Sequence, residues 1–179
     1  MQGIAKIVGT ANHTMMVGTI VTTKEKVLTP MSGTSVVNKV LHITPKCYEA
    51  IVKTIASTTP ECGGILGMKK DAVVCEYVFD KGIENSTEYY IPDINTLNKA
   101  LIEWSNKNVQ FYGMIHSHLL GRNKLSSSDI DYGRQILTSM NMDSIYMLLV
   151  DTDTVHHNLS VFELKMDSCK KIQYNIVEN

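Results

Sequence analysis

"VQFYGMIHSHLLGRNKLSSSDIDYGRQILTSM", residues 109–140, changes its period halfway along. Up to His118 the stretch reads as a buried strand. From Ser127 onward Ile130, Gly133, Leu137 and Met140 recur at the offsets of one helix face. A strand that feeds a helix through a short polar loop is the repeating unit of an alternating α/β chain. The neighbouring segments continue the alternation. Upstream, residues 93–106 place Leu97, Leu101 and Trp104 on one face of a helix, and "ECGGILGM" (61–68) and "AVVCEYVFD" (72–80) read as adjacent strands joined by the turn "KKD". Further back, "LHI" (41–43) is a short strand. Thr44-Pro45 follows as a helix cap with proline at the first helical position. Tyr48, Ile51, Val52, Ile55 and Ala56 form that helix's apolar face, and Thr58-Thr59-Pro60 ends it. Downstream, "SIYMLLVD", "LSVFELK" and "KIQYNIV" complete the strands. The expected class is α/β, a mixed β-sheet flanked by helices.

Residues 1–39 differ in character. They are rich in Thr, Val and Gly, lack a helical period and close with the linker-like "TPMSGTS", so they read as an N-terminal extension of extended, β character. Residues 40–179 read as the single main domain. The 179 residues, 44% hydrophobic and 20% charged, suffice for one substantial core. A net charge of −1, with no cluster of basic and aromatic residues, argues against a nucleic-acid partner. No apolar run is long enough to span a membrane, and "MMVGTIV" (15–21) lacks a signal-peptide pattern, so the expected location is the cytoplasm. Cys47, Cys62, Cys75 and Cys169 form no close pair and read as free thiols, mostly buried.

The strand period gives the middle of the opening stretch its chemical meaning. His116 and His118 point to one side of the strand and Ser117 to the other. If the chain returns through 119–125, the first turn of the next helix brings Asp129 to the same point. Two imidazoles and a carboxylate suit Zn²⁺, and three protein ligands leave a fourth position for water, as in catalytic zinc. A plainer reading competes with this one, because Ser126-Ser127-Ser128-Asp129 is also a capping box. At this composition the spaced set of His, His, Ser and Asp arises by chance in roughly one such chain in a thousand.

With Glu61 added, the pattern of Glu, His-x-His, seven residues, Ser, two residues and Asp resembles the signature of the JAMM (JAB/MPN) zinc metalloproteases. "ECGGILG" is similar to the glutamate-bearing strand start of bacterial JAB-domain proteins. The resemblance covers roughly residues 41–166 and implies a JAB/MPN, cytidine-deaminase-like architecture. It also implies metal ligands His116, His118 and Asp129, a cofactor Zn²⁺, and catalytic residues Glu61 and Ser126. Glu61 would be the general base that activates the zinc-bound water, and Ser126 would donate toward the oxyanion. No separate organic cofactor is implied. The implied substrates are peptide or isopeptide bonds after the C-terminal tail of a ubiquitin-like or sulfur-carrier-like protein, the partner expected here. Leu119 stands where the family usually has proline after the second histidine. The extra zinc site of some relatives needs an insertion for which the span after Asp129 leaves no room.

Other residues carry weaker expectations. His156-His157 reads as a polar hairpin loop, Asp131 as a solvated helix residue, and Cys62 as a buried thiol or an oxidant-sensitive one beside the metal. An extended, glycine-containing substrate tail could add to an exposed strand edge, with Leu119, Leu120 and Arg122 of the "LLGRNK" rim holding it. The runner-up function is a non-catalytic MPN-type interaction module, although such modules generally lack the ligands. A zinc deaminase is disfavoured because the chain has neither His-x-Glu nor a downstream Cys-x-x-Cys.

Overall fold

The caps of the first and third helices form where the sequence places them. In the computed structural model, which describes residues 39–57, 61–69, 72–83, 90–119, 122–152 and 157–178, Thr44 caps the first helix α1 (Pro45–Thr54), its hydroxyl accepting from the Cys47 amide at 3.3 Å. Cys47 and Ile51 are the buried residues of α1, and a 3-10 turn, Ile55–Ser57, continues it. Asp93 caps α2 (Ile94–Asn106), which buries Leu97, Leu101 and Trp104 as their spacing predicts. Ser126 caps α3 (Ser127–Met140), and Asn141 ends that helix in the left-handed conformation, φ 52°. Gly133 lets α3 lie close to the sheet, since a Cβ there would collide with Leu164. The extension expected over residues 1–39 lies outside the described residues except for Lys39, as do residues 58–60, part of the "KKD" turn, and His156.

Among the described residues, seven strands accompany the helices: β1 (Val40–Ile43), β2 (Gly63–Met68), β3 (Val73–Asp80), β4 (Gln110–Leu119), β5 (Ile145–Thr152), β6 (His157–Leu164) and β7 (Cys169–Ile176). Each lies where its apolar pattern places it, except that β6 takes in His157, expected in a hairpin loop, which pairs with Thr152. The way they assemble corrects the expectation of a mixed sheet flanked by helices. The strands form a closed, mixed barrel in the order β1-β3-β2-β4-β5-β6-β7, accompanied by α1, α2 and α3. Closure depends on β1, which pairs in parallel with β3 through His42 and Ile43 and in parallel with β7 through all four of its residues. Alternation marks a strand and its inward face, but it does not say that a four-residue strand is paired on both sides.

Two clusters of buried side chains follow from the pleat. One gathers Leu41, Ile43, Leu66, Val74, Ile115, Leu148 and Val161 from six strands around Cys47, Ile51 and Ile55. The other packs Ile65, Met114, Met147 and Leu164 against Leu97, Leu101 and Trp104 of α2 and Ile136 and Leu137 of α3. Ile115 faces the first cluster and Met114 the second, so alternation along β4 sends His116 and His118 to the side of α2 and α3. The strand that carries the histidines is paired with β2 from Gln110 to His116 and with β5 from Gly113 to Leu119. Among the described residues, the stretch of β3 beyond Val74 has no strand partner on the side away from β2.

Candidate metal centre

The end of β4 is buried, leaving His116 6% and His118 7% exposed. Their rings meet edge to face with centroids 4.8 Å apart, and the two Nε2 atoms are 3.1 Å from each other. Asp129 enters from the first turn of α3. Its Oδ1 lies 3.4 Å from His116 Nε2 and its Oδ2 3.4 Å from His118 Nε2. One donor atom from each of the three residues falls within 4.8 Å of the others. The capping box is present too: the Ser126 amide donates to Asp129 Oδ2 at 2.7 Å, and the Asp129 amide donates to Ser126 Oγ at 3.1 Å. The two sequence readings therefore describe one arrangement, in which the cap aims the carboxylate at the histidines.

The donor set fits a small cation. A carbonyl can only accept, so His118 Nδ1, 3.1 Å from the Arg122 carbonyl oxygen, must be the donor, and in the neutral ring this leaves the Nε2 lone pair toward the cluster. Two imidazole lone pairs at 3.1 Å repel unless a proton or a cation lies between them. Ligand atoms bonded to tetrahedral Zn²⁺ at about 2.0–2.1 Å stand about 3.3 Å apart, close to the separations seen here.

The electrostatics agree. Burial alone would raise the Asp129 carboxyl, but hydrogen bonds from His116 and His118 outweigh it and hold the group well below the ordinary carboxylate range. Burial would lower His118, yet the bonds to Asp129 and to the Arg122 carbonyl raise it above the usual imidazole value. Protons therefore compete with a metal for His118. We expect zinc affinity to fall as the pH drops below that raised value, with tighter binding at pH 8 than at pH 6 in a competitive titration. Without metal the dependence reverses, because a raised His118 contributes stability that is present below its unfolded value, about 6.5, and lost as the pH climbs through the folded one.

Glu61 stands just before β2. The β2–β4 register pairs Gly63 with His116, and the bond from the Ser117 amide to the Cys62 carbonyl, 2.8 Å, carries the pairing onward. Two residues back from Gly63, Glu61 returns to the face of His118, and its charge acts on that imidazole. Ser117, on the other face, fastens the strand ends through its Oγ, which accepts from the Cys62 amide at 3.0 Å. Cys62 is fully buried, and burial pushes its thiol up, which argues against the expected sensitivity to oxidants. Asp131 is exposed and pairs only loosely with Arg134, at 3.6 Å, as expected of a solvated residue. Of the expected rim, Arg122 is exposed and contributes its backbone carbonyl, while Leu120 and the Leu119 side chain lie outside the described residues.

Beside the cluster opens a cavity of about 780 Å³, reached by His116, Ser126 and Asp129 and walled by Tyr90, Ile91, Ile94, Met114, Tyr132 and Met147. Its far wall depends on Asp80, a buried carboxylate that accepts from Tyr90 Oη at 2.6 Å, the Asp93 amide at 2.8 Å and the Gly82 amide at 2.9 Å. Gly63 makes room for this wall. A Cβ there would overlap the Tyr90 ring and stand 2.5 Å from the Ile115 carbonyl oxygen. Sequence reasoning missed Asp80, Tyr90 and Tyr132. Only Tyr132 had a signal, three residues beyond Asp129 on the same helix.

No family model and no curated protein matches the sequence. Solved structures do resemble the fold. A Desulfitobacterium hafniense protein determined in solution superposes with a TM-score of 0.61 at 17% identity, over 77% of this chain and 93% of the other. A JAB1/MPN domain protein from Archaeoglobus fulgidus gives 0.50 at 16% identity, over 77% and 98%. A third, described as a JAMM metalloprotease-like zinc site in the proteasome and signalosome, reaches 0.46 at 15% identity over 78% and 100%, too loose a match to carry weight. Among the described residues, no helix is long and apolar enough to cross a membrane.

Proposed function

We propose that this protein is a zinc-dependent metallopeptidase of the JAMM type, which hydrolyses a peptide or isopeptide bond after the C-terminal tail of a ubiquitin-like or sulfur-carrier-like protein. The observation that carries the reading is the convergence of His116, His118 and Asp129 within 4.8 Å at the mouth of an apolar cavity. These three residues would hold Zn²⁺, which when bound supplies Lewis acidity toward a carbonyl and makes water a competent nucleophile near neutral pH. Glu61, on the face of His118, takes a proton from the attacking water and returns it to the departing amine. Ser126 uses an Oγ lone pair for the Asp129 amide and keeps its own O–H to donate toward the developing oxyanion. Resemblance to a JAB1/MPN domain protein supports the choice of scaffold.

Small residues beside the scissile bond let its carbonyl approach the centre closely, which favours a glycine-ended tail. The test is cleavage by the zinc-loaded protein of ubiquitin and of a sulfur-carrier protein, each fused through its tail to a reporter, compared with casein. The fusions are expected to be cleaved far faster. Equal rates on casein would remove the substrate assignment, and no zinc-dependent cleavage of any of them would favour a non-catalytic module.

A further inference from the structure

The metal centre stands between two hollows of opposite character. On the side of His116 and Asp129 lies the apolar cavity. On the side of His118 lies a second hollow of about 550 Å³, lined by His118, Arg122, Asn123, Lys124 and Ser126. Ser126 borders both, so a carbonyl that its O–H addresses sits where the two meet. The loop along the second hollow is tied to the centre at both ends. The Arg122 carbonyl accepts from His118 Nδ1 at 3.1 Å, and Ser126 exchanges two bonds with Asp129. The backbone that bears Arg122, Asn123 and Lys124 is therefore set by the same residues that would hold the metal. The charge there is one-sided. Among the described residues, the lining holds two cations, both exposed, and no acid. Two carboxylates stand close by, but both belong to the centre: Asp129 is engaged by the histidines and the Ser126 amide, and the charge of Glu61 acts on His118. A bound divalent cation balances those two and leaves Arg122 and Lys124 in excess.

We propose that the hollow beside His118 is a carboxylate site, in which Arg122, Asn123 and Lys124 hold an acidic group of the substrate on the flank of the cleaved bond away from the apolar cavity. This rests on the metallopeptidase reading above. Arginine offers paired N–H groups that match the two oxygens of a carboxylate, lysine adds a point charge, and the asparagine amide is a further donor. A chain laid across the centre is then read on both flanks, with an apolar residue in the cavity and an acid in the hollow, and this difference fixes its direction. Two sources supply the same chemistry: the free end of the chain just past the cleaved bond, and the side chain of an aspartate or glutamate there. Because the cations are exposed, the gain is that of surface ion pairs, about fivefold in affinity, and it shrinks as salt screens them.

The experiment measures binding of three phosphinic pseudopeptides to the zinc-loaded protein. All carry leucine before the phosphinic group, which takes the place of the cleaved bond. After it, one ends in glutamine with a free carboxylate, one in glutamate with an amidated end, and one in glutamine with an amidated end. In wild type at low salt, at least one of the two carboxylate ligands is expected to bind about fivefold tighter than the neutral-ended one. Whichever does so identifies the source as chain end or side chain. The quantity read is this ratio within each protein, so a general change in affinity does not enter it. The ratio is expected to fall toward one at high salt and in the double variant Arg122→Gln/Lys124→Gln, and to fall part of the way in Lys124→Gln, whose backbone does not touch His118. Equal binding of all three ligands by wild type overturns the inference. So does a preference that persists in both variants, which would belong to the charge of the metal. A wild type that binds zinc and acetohydroxamate but none of the three overturns it while leaving the metal centre standing. A wild type that binds neither zinc nor acetohydroxamate removes the metallopeptidase reading itself, and the inference with it.

Discussion

Glu61→Gln is expected to slow hydrolysis by about 10²–10⁴-fold while the zinc content stays at the wild-type level. Glu61 is outside the cluster of His116, His118 and Asp129, so the donor set survives the change. The amide keeps the shape of the side chain and can still hydrogen-bond water, but it cannot accept a proton. Removing the negative charge also withdraws one of the influences that raise His118, so protons compete no better for that imidazole than before. Metal binding therefore holds while turnover collapses, a separation that a merely structural glutamate would not give. Elemental analysis and turnover on a tail-fused substrate check the two halves, and undiminished turnover in a variant of normal zinc content takes Glu61 out of the mechanism.

What the sequence made legible was local. The strand period alone puts His116 and His118 on one face, whatever the strand later pairs with, and the helical period alone selects Leu97, Leu101 and Trp104. Asp129 was legible twice, since the capping box and the metal cluster require the same carboxylate at the same helical position. The missing parts depend on contacts between distant segments. Closure of the barrel rests on β1, whose alternation of half-buried and buried residues is the same whether it has one partner or two. The cavity wall rests on Asp80, which in sequence is only a polar residue ending an apolar strand. Its role arises when the backbone at Gly82 and Asp93 and the hydroxyl of Tyr90 come to it together. No spacing rule announces a carboxylate whose partners are set by a fold that is not yet known.

The double duty of Asp129 gives the second large effect, because two substitutions at one position separate its tasks. Asp129→Ala is expected to lose zinc and also the bond from the Ser126 amide that completes the capping box of α3, with a cost of at least about 1 kcal/mol in the metal-free protein, or about 2–4 °C in unfolding temperature. Asp129→Asn keeps an oxygen that can accept from the Ser126 amide, so the metal-free protein is expected to unfold above Asp129→Ala, though below wild type because the carboxylate's bonds to the two imidazoles are lost. Yet the amide is a poor zinc ligand, and the negative charge that balances two imidazoles 3.1 Å apart is gone. Zinc affinity is therefore expected to fall in both variants. The loss should exceed about 10²-fold, since removing a partner that only supports a ligand already costs 10–100-fold. Both measurements belong near pH 7. The Asp129 carboxyl is depressed, so its contribution to stability is fully present above the unfolded value, about 3.9, and is lost only as the pH falls through the folded one. Asparagine restoring part of the unfolding temperature without the zinc is the signature of a carboxylate that serves the helix and the metal at once. Wild-type zinc affinity in Asp129→Asn would leave only the capped helix.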